Sequence, residues 1–341
     1  MDLSRKKSAP PVLRLVHLMA FTAFLRHVGA PVDRLLRRQK LPVLCEDPDT
    51  FVPLSRVWSF FAAAARHEDP TLGWLVGAHA GDHNLNLGLL RKLETAPTLF
   101  YALQRLVQKV STEASHLQLG IHERRDDILF YTHYSGMREV PGYMISQAYQ
   151  LEIIIGLIRH FLGSQWVPDE VGIEHPRAPA IVEECLPGSR ILTQQPMGYI
   201  AVPRSCLHQA VRSPDPKSGV ADDSVLSEKS HYIDTLRAVL MSYLPDGYPS
   251  ARFAAELMDV SERTLARMLS ACGITYGTLV DEVRFTVAKK LLQKPGARIG
   301  EVAISVGFDD QSNFTRMFRR VGGLTPGEFR KAVELHPKLT H

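Results

Sequence analysis

With 341 residues the chain has room for two domains, or one large one. Its composition, 45% hydrophobic and 22% charged, is ordinary for a soluble globular protein. The net charge is only +4, and the segment 230–341 holds 15 Lys+Arg against 12 Asp+Glu, so bulk charge diagnoses no nucleic-acid partner and the placement of charges must decide.

Residues 1–11 read as a loose polar tail ending in Pro10-Pro11. Arg5-Lys6-Lys7 ahead of an apolar stretch mimics an export signal. However, Arg14 and His17 lie inside that stretch and Arg26-His27 follow it directly, whereas an export h-region carries no charge. Val12–Val28 is therefore read as an amphipathic or buried helix. No run of about 20 uncharged apolar residues exists, so no membrane span is expected and the chain is placed in the cytoplasm. Leu54, Val57, Trp58, Phe61 and Ala65 recur at helical spacing and predict a helix over Pro53–Arg66; Leu99, Leu103, Leu106 and Val110 predict another over Thr98–Val110. The period then changes to two. Leu117, Leu119 and Ile121, a turn at Arg124–Asp127, and Ile128–Tyr134 form a hairpin. A long apolar helix over Pro141–Leu162 follows, then short strands at Val171–His175 and Tyr199–Val202 around a small helix near Pro179–Cys185. Residues 12–211 are thus expected to form a mixed α/β domain. Residues 212–229, opening on Arg212-Ser213-Pro214-Asp215-Pro216, read as a linker. Residues 230–341 are helical throughout, so the whole is α+β and multidomain.

The helical tail repeats one pattern. Phe253–Leu269 and Glu301–Arg320 each read as a short apolar helix, a tight turn, and a helix with one apolar and one polar-basic face. This is the helix-turn-helix pattern, in units spanning 250–272 and 299–322. In the first unit Ala255 supplies the small residue where helices approach, and Leu265, Met268 and Leu269 face inward. Ser261 is the expected N-cap, with its helix N-terminus aimed at a backbone phosphate. Arg263, Thr264, Ala266, Arg267 and Ser270 are left outside. In the second, Ala303 is the small residue, Gly307 turns the chain, and Phe314 and Phe318 anchor the helix. Asp309 and Asp310 are expected to cap it. Gln311, Ser312, Asn313, Thr315, Arg316, Arg319 and Arg320 remain outside; Gln and Asn read adenine, and Arg reads guanine. Arg319-Arg320 and Lys289-Lys290 fit phosphate contact or a solvated face better than base reading. One helix over 275–293, roughly 28 Å long at 1.5 Å per residue, holds the units apart. It allows the two reading helices to lie about 34 Å apart, one turn of B-DNA.

On these residues segment 231–334 resembles the DNA-binding domain of the AraC/XylS family of bacterial transcription regulators. The run Gly307-Phe308, Gln311–Arg316, Phe318-Arg319-Arg320 and Gly323–Arg330 carries the likeness most fully. Asp259 departs from it, standing where the family commonly has Gly, and a slightly altered turn is expected there. Ala266, being short, has reach only for a thymine methyl. Leu85–Leu90, Ala96–Leu99 and Val171–Pro176 resemble the family's arabinose-binding-type N-terminal domain, a label that implies neither a sugar ligand nor a cupin-type barrel. The resemblance implies a regulator, of activating sign, that binds double-stranded promoter DNA, contacts RNA polymerase, forms a homodimer through its front domain and responds to a small effector. The alternative is an effector-independent regulator whose front domain serves dimerisation or a protein partner.

Other constellations carry less. Tyr131, His133, Gln147, Tyr149 and Trp166 are polar-tipped residues in apolar surroundings, the make-up of an effector pocket or of a packed core with satisfied tips. His79 and His83 have metal-ligand spacing, but Gly81 interrupts their helix, and no metal or cofactor is expected. Cys45, Cys185, Cys206 and Cys272 fit free thiols. No phosphate loop, nucleophile elbow or carboxylate dyad is present, so no catalysis is expected.

Overall fold

The computed structural model describes residues 9–65, 69–82, 96–209, 232–247 and 249–335. Residues 1–8 of the expected tail, His83, the stretch Leu85–Leu90 and the linker 212–229 lie outside the described residues. The chain divides into two compact units. A front unit collects the described residues of Val16–Gln39 and Leu54–Glu228; a rear unit collects those of Met1–Leu15, Lys40–Pro53 and Lys229–His341. The division thus departs from a single boundary near residue 211, because two early stretches pack with the C-terminal helices.

The front unit contains helices α1 (Leu15–His27, which leaves the rear unit at its first residue), α2 (Val32–Arg38), α3 (Leu54–Ala65), α4 (Thr71–Asp82), α5 (Leu99–Lys109), α6 (Tyr143–Leu162) and α7 (Ala180–Cys185). Its sheet has the order β3-β4-β7-β5-β6, built from β3 (Leu117–Glu123), β4 (Asp127–Tyr134), β5 (Glu170–Gly172), β6 (Arg190–Leu192) and β7 (Gly198–Pro203). All pairings are antiparallel except β5 with β6. The period of two in β4 is realised: Ile128, Phe130, Thr132 and Tyr134 are buried while Leu129, Tyr131 and His133 are half-buried on the other face. Helix α6 is apolar around most of its circumference, and most of its residues between Tyr143 and Phe161 are correspondingly buried. It packs closely on α4 because α4 carries glycines at the contact. A Cβ on Gly73 would lie 2.1 Å from the Ile145 carbonyl oxygen, and one on Gly77 2.6 Å from the Glu152 Cβ.

The rear unit opens with a two-stranded ribbon, β1 (Val12–Arg14) against β2 (Phe51–Pro53), in the register Leu13↔Val52. The helix expected over Val12–Val28 therefore starts three residues late: Val12 and Leu13 bury their side chains in the ribbon, and the ladder satisfies their backbone. The helices that follow are α8 (Tyr232–Tyr243), α9 (Ala251–Leu257), α10 (Glu262–Ala271), α11 (Tyr276–Leu292), α12 (Ile299–Ser305), α13 (Gln311–Gly322) and α14 (Pro326–Leu335), with a 3-10 turn at Leu244–Asp246. They enclose two cores. One gathers Leu236, Leu240, Ala254, Met258, Leu265, Leu269, Leu279 and Val283; the other gathers Ala288, Leu292, Val302, Val306, Phe314, Met317 and Phe318. Helix α11 contributes to both, and its Val287 packs against each. No helix among the described residues is long and apolar enough to cross a membrane.

Candidate nucleic-acid interface

Each helix-turn-helix begins with the same turn. Helix α9 ends with Asp259 in the left-handed region at φ +51°, and α12 with Gly307 at φ +79°. In the first turn the N–H of Asp259 donates to the Glu256 carbonyl and that of Val260 to the Ala255 carbonyl. In the second, Gly307 donates to Ile304 and Phe308 to Ala303 in the same pattern. These are paired Schellman closures, which require a positive φ at the residue after the C-cap. Ala255 and Ala303 occupy matching places and are both buried. Asp259 accepts the conformation in which its counterpart is glycine, so the turn is kept rather than altered. An L-residue in that region costs about 1–2 kcal/mol, less for Asp, and glycine recovers part of it against its own chain entropy. Asp259→Gly is accordingly expected to stabilise the protein by about 0.5 kcal/mol in a urea melt. A clear loss would mean that the Asp259 carboxylate does more than tolerate the turn.

Past the first turn Ser261 caps α10, its hydroxyl accepting the Thr264 N–H at 3.2 Å. Leu265 and Leu269 point into the core, Met268 is half-buried and Thr264 half-buried beside the cap. Arg263, Ala266, Arg267 and Ser270 are exposed. Past the second turn it is Asp310 that caps α13, accepting the Asn313 N–H at 2.7 Å; Asp309 is exposed and makes no cap bond. Hydrogen bonds from the backbone and side chain of Asn313 hold the Asp310 carboxyl below the usual carboxylate range. Phe314, Met317 and Phe318 are buried, while Gln311, Ser312, Asn313, Arg316, Arg319 and Arg320 are exposed and Thr315 is half-buried. The exposed face is organised. Asp310 accepts from the Asn313 side chain, whose own oxygen accepts from Arg316, so three residues one turn apart form a ladder. Arg320 pairs with Asp281 of α11. Helix α14 starts with a reciprocal capping box: Glu328 accepts the Thr325 N–H at 2.7 Å and Thr325 accepts the Glu328 N–H at 3.3 Å.

The front unit distributes the five expected pocket residues. His133 and Gln147 meet at buried Glu174. The Gln147 amide donates to Glu174 Oε1 at 2.6 Å and accepts the Glu174 N–H at 3.0 Å, with His133 Nδ1 3.7 Å from Oε1. Tyr143 donates to the same oxygen at 2.6 Å, and Arg138 Nε lies 3.2 Å from the other. Tyr149 is elsewhere, since two residues along a helix turn the side chain by roughly 200°. Its hydroxyl lies 3.2 Å from His17 Nδ1, and His17 Nε2 lies 3.2 Å from Glu113. Tyr131 sits beside Tyr199 in the β4–β7 register with its ring over Gly120, where a Cβ would meet the hydroxyl at 2.2 Å. Trp166 is half-buried in the loop after α6, its carbonyl accepting from Arg159 Nε at 2.9 Å. Of the five, the structure thus joins only His133 and Gln147 around one carboxylate. His79 stacks on His27 with ring centroids 5.5 Å apart.

Comparison with known proteins identifies both halves. A helix-turn-helix domain model matches residues 254–332. A model described as the arabinose-binding domain of AraC transcription regulators, N-terminal, matches residues 29–211, more than half of the chain. The chain belongs to the AraC family of transcription regulators. Its relatives include an ornithine utilization regulator of Pseudomonas aeruginosa, 28% identical over 41% of this chain and 43% of that protein's length. The HTH-type transcriptional regulator VirS of Mycobacterium tuberculosis is 25% identical over 94% of this chain and 96% of its own. Among solved structures, the transcriptional regulator CdpR of Pseudomonas aeruginosa aligns over 88% of this chain and 96% of its own at 19% identity and a TM-score of 0.35. The protein is an AraC-type DNA-binding regulator, and its family and relatives are regulators rather than enzymes.

One residue that matters to the regulator's interface escapes sequence reading. Arg284, in the middle of α11, is 8% exposed. Its Nη2 donates to the Gly307 carbonyl at 2.8 Å, and its guanidinium lies 4.3 Å from the Phe308 ring centroid. It therefore ties the spacer helix to the turn that launches α13. The signal was present: Arg284 interrupts an i, i+4 row of small and apolar residues, Val280 and Ala288, and a charge on a buried row needs a partner.

Proposed function

We propose that the regulator reads promoter DNA with α10 and α13 in successive major grooves, through Arg263, Thr264, Ala266 and Arg267 of the first helix and Gln311, Ser312, Asn313, Thr315 and Arg316 of the second. Ser261, Arg319 and Arg320 serve the phosphates. The observation that carries this reading is the doubled turn, which leaves one exposed polar-basic helix face per unit, both fixed to α11. At 17 residues α11 is about 25 Å long, which suits reading faces about one helical turn of DNA apart. In the same reading the protein acts in the cytoplasm as a homodimer, activates transcription through RNA polymerase, and takes a small effector in its front unit. The Glu174 cluster, with His133 and Gln147, is the better candidate for contacting that effector than the other three residues. The second reading, in which the front unit serves dimerisation or a protein partner without a small ligand, is favoured by the partners Glu174 already has within the fold, Tyr143 and Gln147 on one carboxylate oxygen and Arg138 beside the other.

Selection of tight-binding duplexes from a random library, followed by footprinting, tests the DNA reading. Arg316→Ala is expected to weaken binding to the selected duplex by about 1–3 kcal/mol and to relax base preference within one half of the site. An unchanged footprint and affinity would remove Arg316 from the reading set. Thermal-shift screening of the full chain against metabolites separates the two regulatory readings, because a ligand that binds only the folded state raises the melting temperature.

A further inference from the structure

The rear unit is assembled from three stretches of chain, and one of them, Lys40–Pro53, is bracketed on both sides by helices of the front unit. Backbone bonds hold this strap. Asp246, closing the turn after α8, accepts the N–H of Val43 at 2.6 Å and of Leu44 at 2.7 Å. The Tyr243 hydroxyl donates to the Lys40 carbonyl at 2.9 Å, and the buried Ser242 hydroxyl donates to the Phe51 carbonyl at 2.9 Å. Leu41, Phe51 and Val52 are buried. Charges extend the contact to the DNA-binding helices: Lys40 pairs with Glu256 of α9, and Asp47 lies 3.5 Å from Lys290 of α11. Exposed pairs contribute little alone, whereas the paired amides on a carboxylate are charge-assisted and are the firm anchor.

The strap also receives a connection from the start of α1. The Leu15 N–H donates to the Thr50 carbonyl at 2.8 Å, and Arg14 pairs with Asp49 at 3.1 Å. Two residues further along the same helix, His17 sits within the front unit between Tyr149 and Glu113. Less than one helical turn therefore separates a bond into the rear unit from bonds into the front unit.

We propose that Lys40–Pro53 is the coupling element of this regulator: an integral part of the DNA-binding unit through which a change around Tyr149, His17 and Glu113 is felt at α8 and α9. The route stands whether the trigger is a small effector or a protein partner.

The test uses the full chain and a duplex selected from a random library. Amide hydrogen exchange is expected to slow at Leu15, Val43 and Leu44 when the duplex binds, together with α10 and α13. Asp246→Ala is expected to weaken duplex binding by about five- to ten-fold, the usual size of coupling between linked sites. Tyr149→Phe, which removes only a hydroxyl, is expected to change affinity about two-fold in the natural chain and not at all once Asp246 is replaced, the non-additivity of a shared path. Strap amides whose exchange ignores the duplex, or an additive cycle, overturn the proposal. Should Asp246→Ala fail to fold, the exchange measurement on the natural chain decides alone.

Discussion

Phe318→Ala is expected to abolish the second helix-turn-helix while leaving the first folded. Phe318 is 0% exposed and joins three helices: its ring lies 4.6 Å from that of Phe285 on α11, 5.7 Å from that of Phe314 on its own helix, and 5.7 Å from that of Phe329 on α14. Truncating such a ring costs about 3–5 kcal/mol, the sum of lost transfer energy and the cavity left behind. A whole domain holds only about 5–15 kcal/mol, and this core is one of two among the described residues of the rear unit. The other, around Leu265, Leu269 and Leu279, contains no residue of α12, α13 or α14, so opening is expected to be local. Hydrogen exchange should accelerate across α12–α14 and much less across α9 and α10, and affinity for the selected duplex should fall toward its non-specific value. Equal acceleration in both modules would show that α11 and Val287 make them one cooperative unit.

The difference between what was legible in the sequence and what was not follows the range of the interactions involved. Helices α3 and α5, the β3–β4 hairpin and the two helix-turn-helix units are announced by periodicity, capping residues and turns, all settled within about twenty residues. The outward faces of α10 and α13 follow from the same local logic: once Leu265, Leu269, Phe314 and Phe318 are inside, the 3.6-residue period leaves Arg263, Arg267, Asn313 and Arg316 outside. The ribbon β1–β2 and the strand β6, three residues each, are too short to show a period. The packing of Lys40–Pro53 with helices some two hundred residues later has no local signature. The pocket expectation met a related obstacle. Gln147 and Tyr149 share a helix but turn to different partners, Glu174 and His17, and neither partner is adjacent in sequence.

Arg284→Met should weaken both folding and DNA recognition, and its size depends on two opposed effects. Methionine keeps much of the volume on α11 but deprives the Gly307 carbonyl of the Arg284 donor and removes the cation from the face of Phe308. A hydrogen bond to a charged group contributes about 1.5–3 kcal/mol, and a cation over an aromatic ring about 0.5–2 kcal/mol when desolvated. Against this stands the cost of burying the guanidinium, which methionine avoids. The expected balance is a loss of about 2 kcal/mol in chemical denaturation. The consequence for DNA arises through position: Gly307 sets the entry of α13, so a turn released from α11 lets the ladder Asp310–Asn313–Arg316 wander relative to α10. Affinity for the selected duplex should therefore fall more than affinity for random duplex. Arg284→Lys should not restore it, because a single ammonium cannot both reach the carbonyl and lie flat on the ring. If the Met variant is as stable and as selective as the natural chain, the turn is held by its own bonds, Gly307 to Ile304 and Phe308 to Ala303, and Arg284 only fills space.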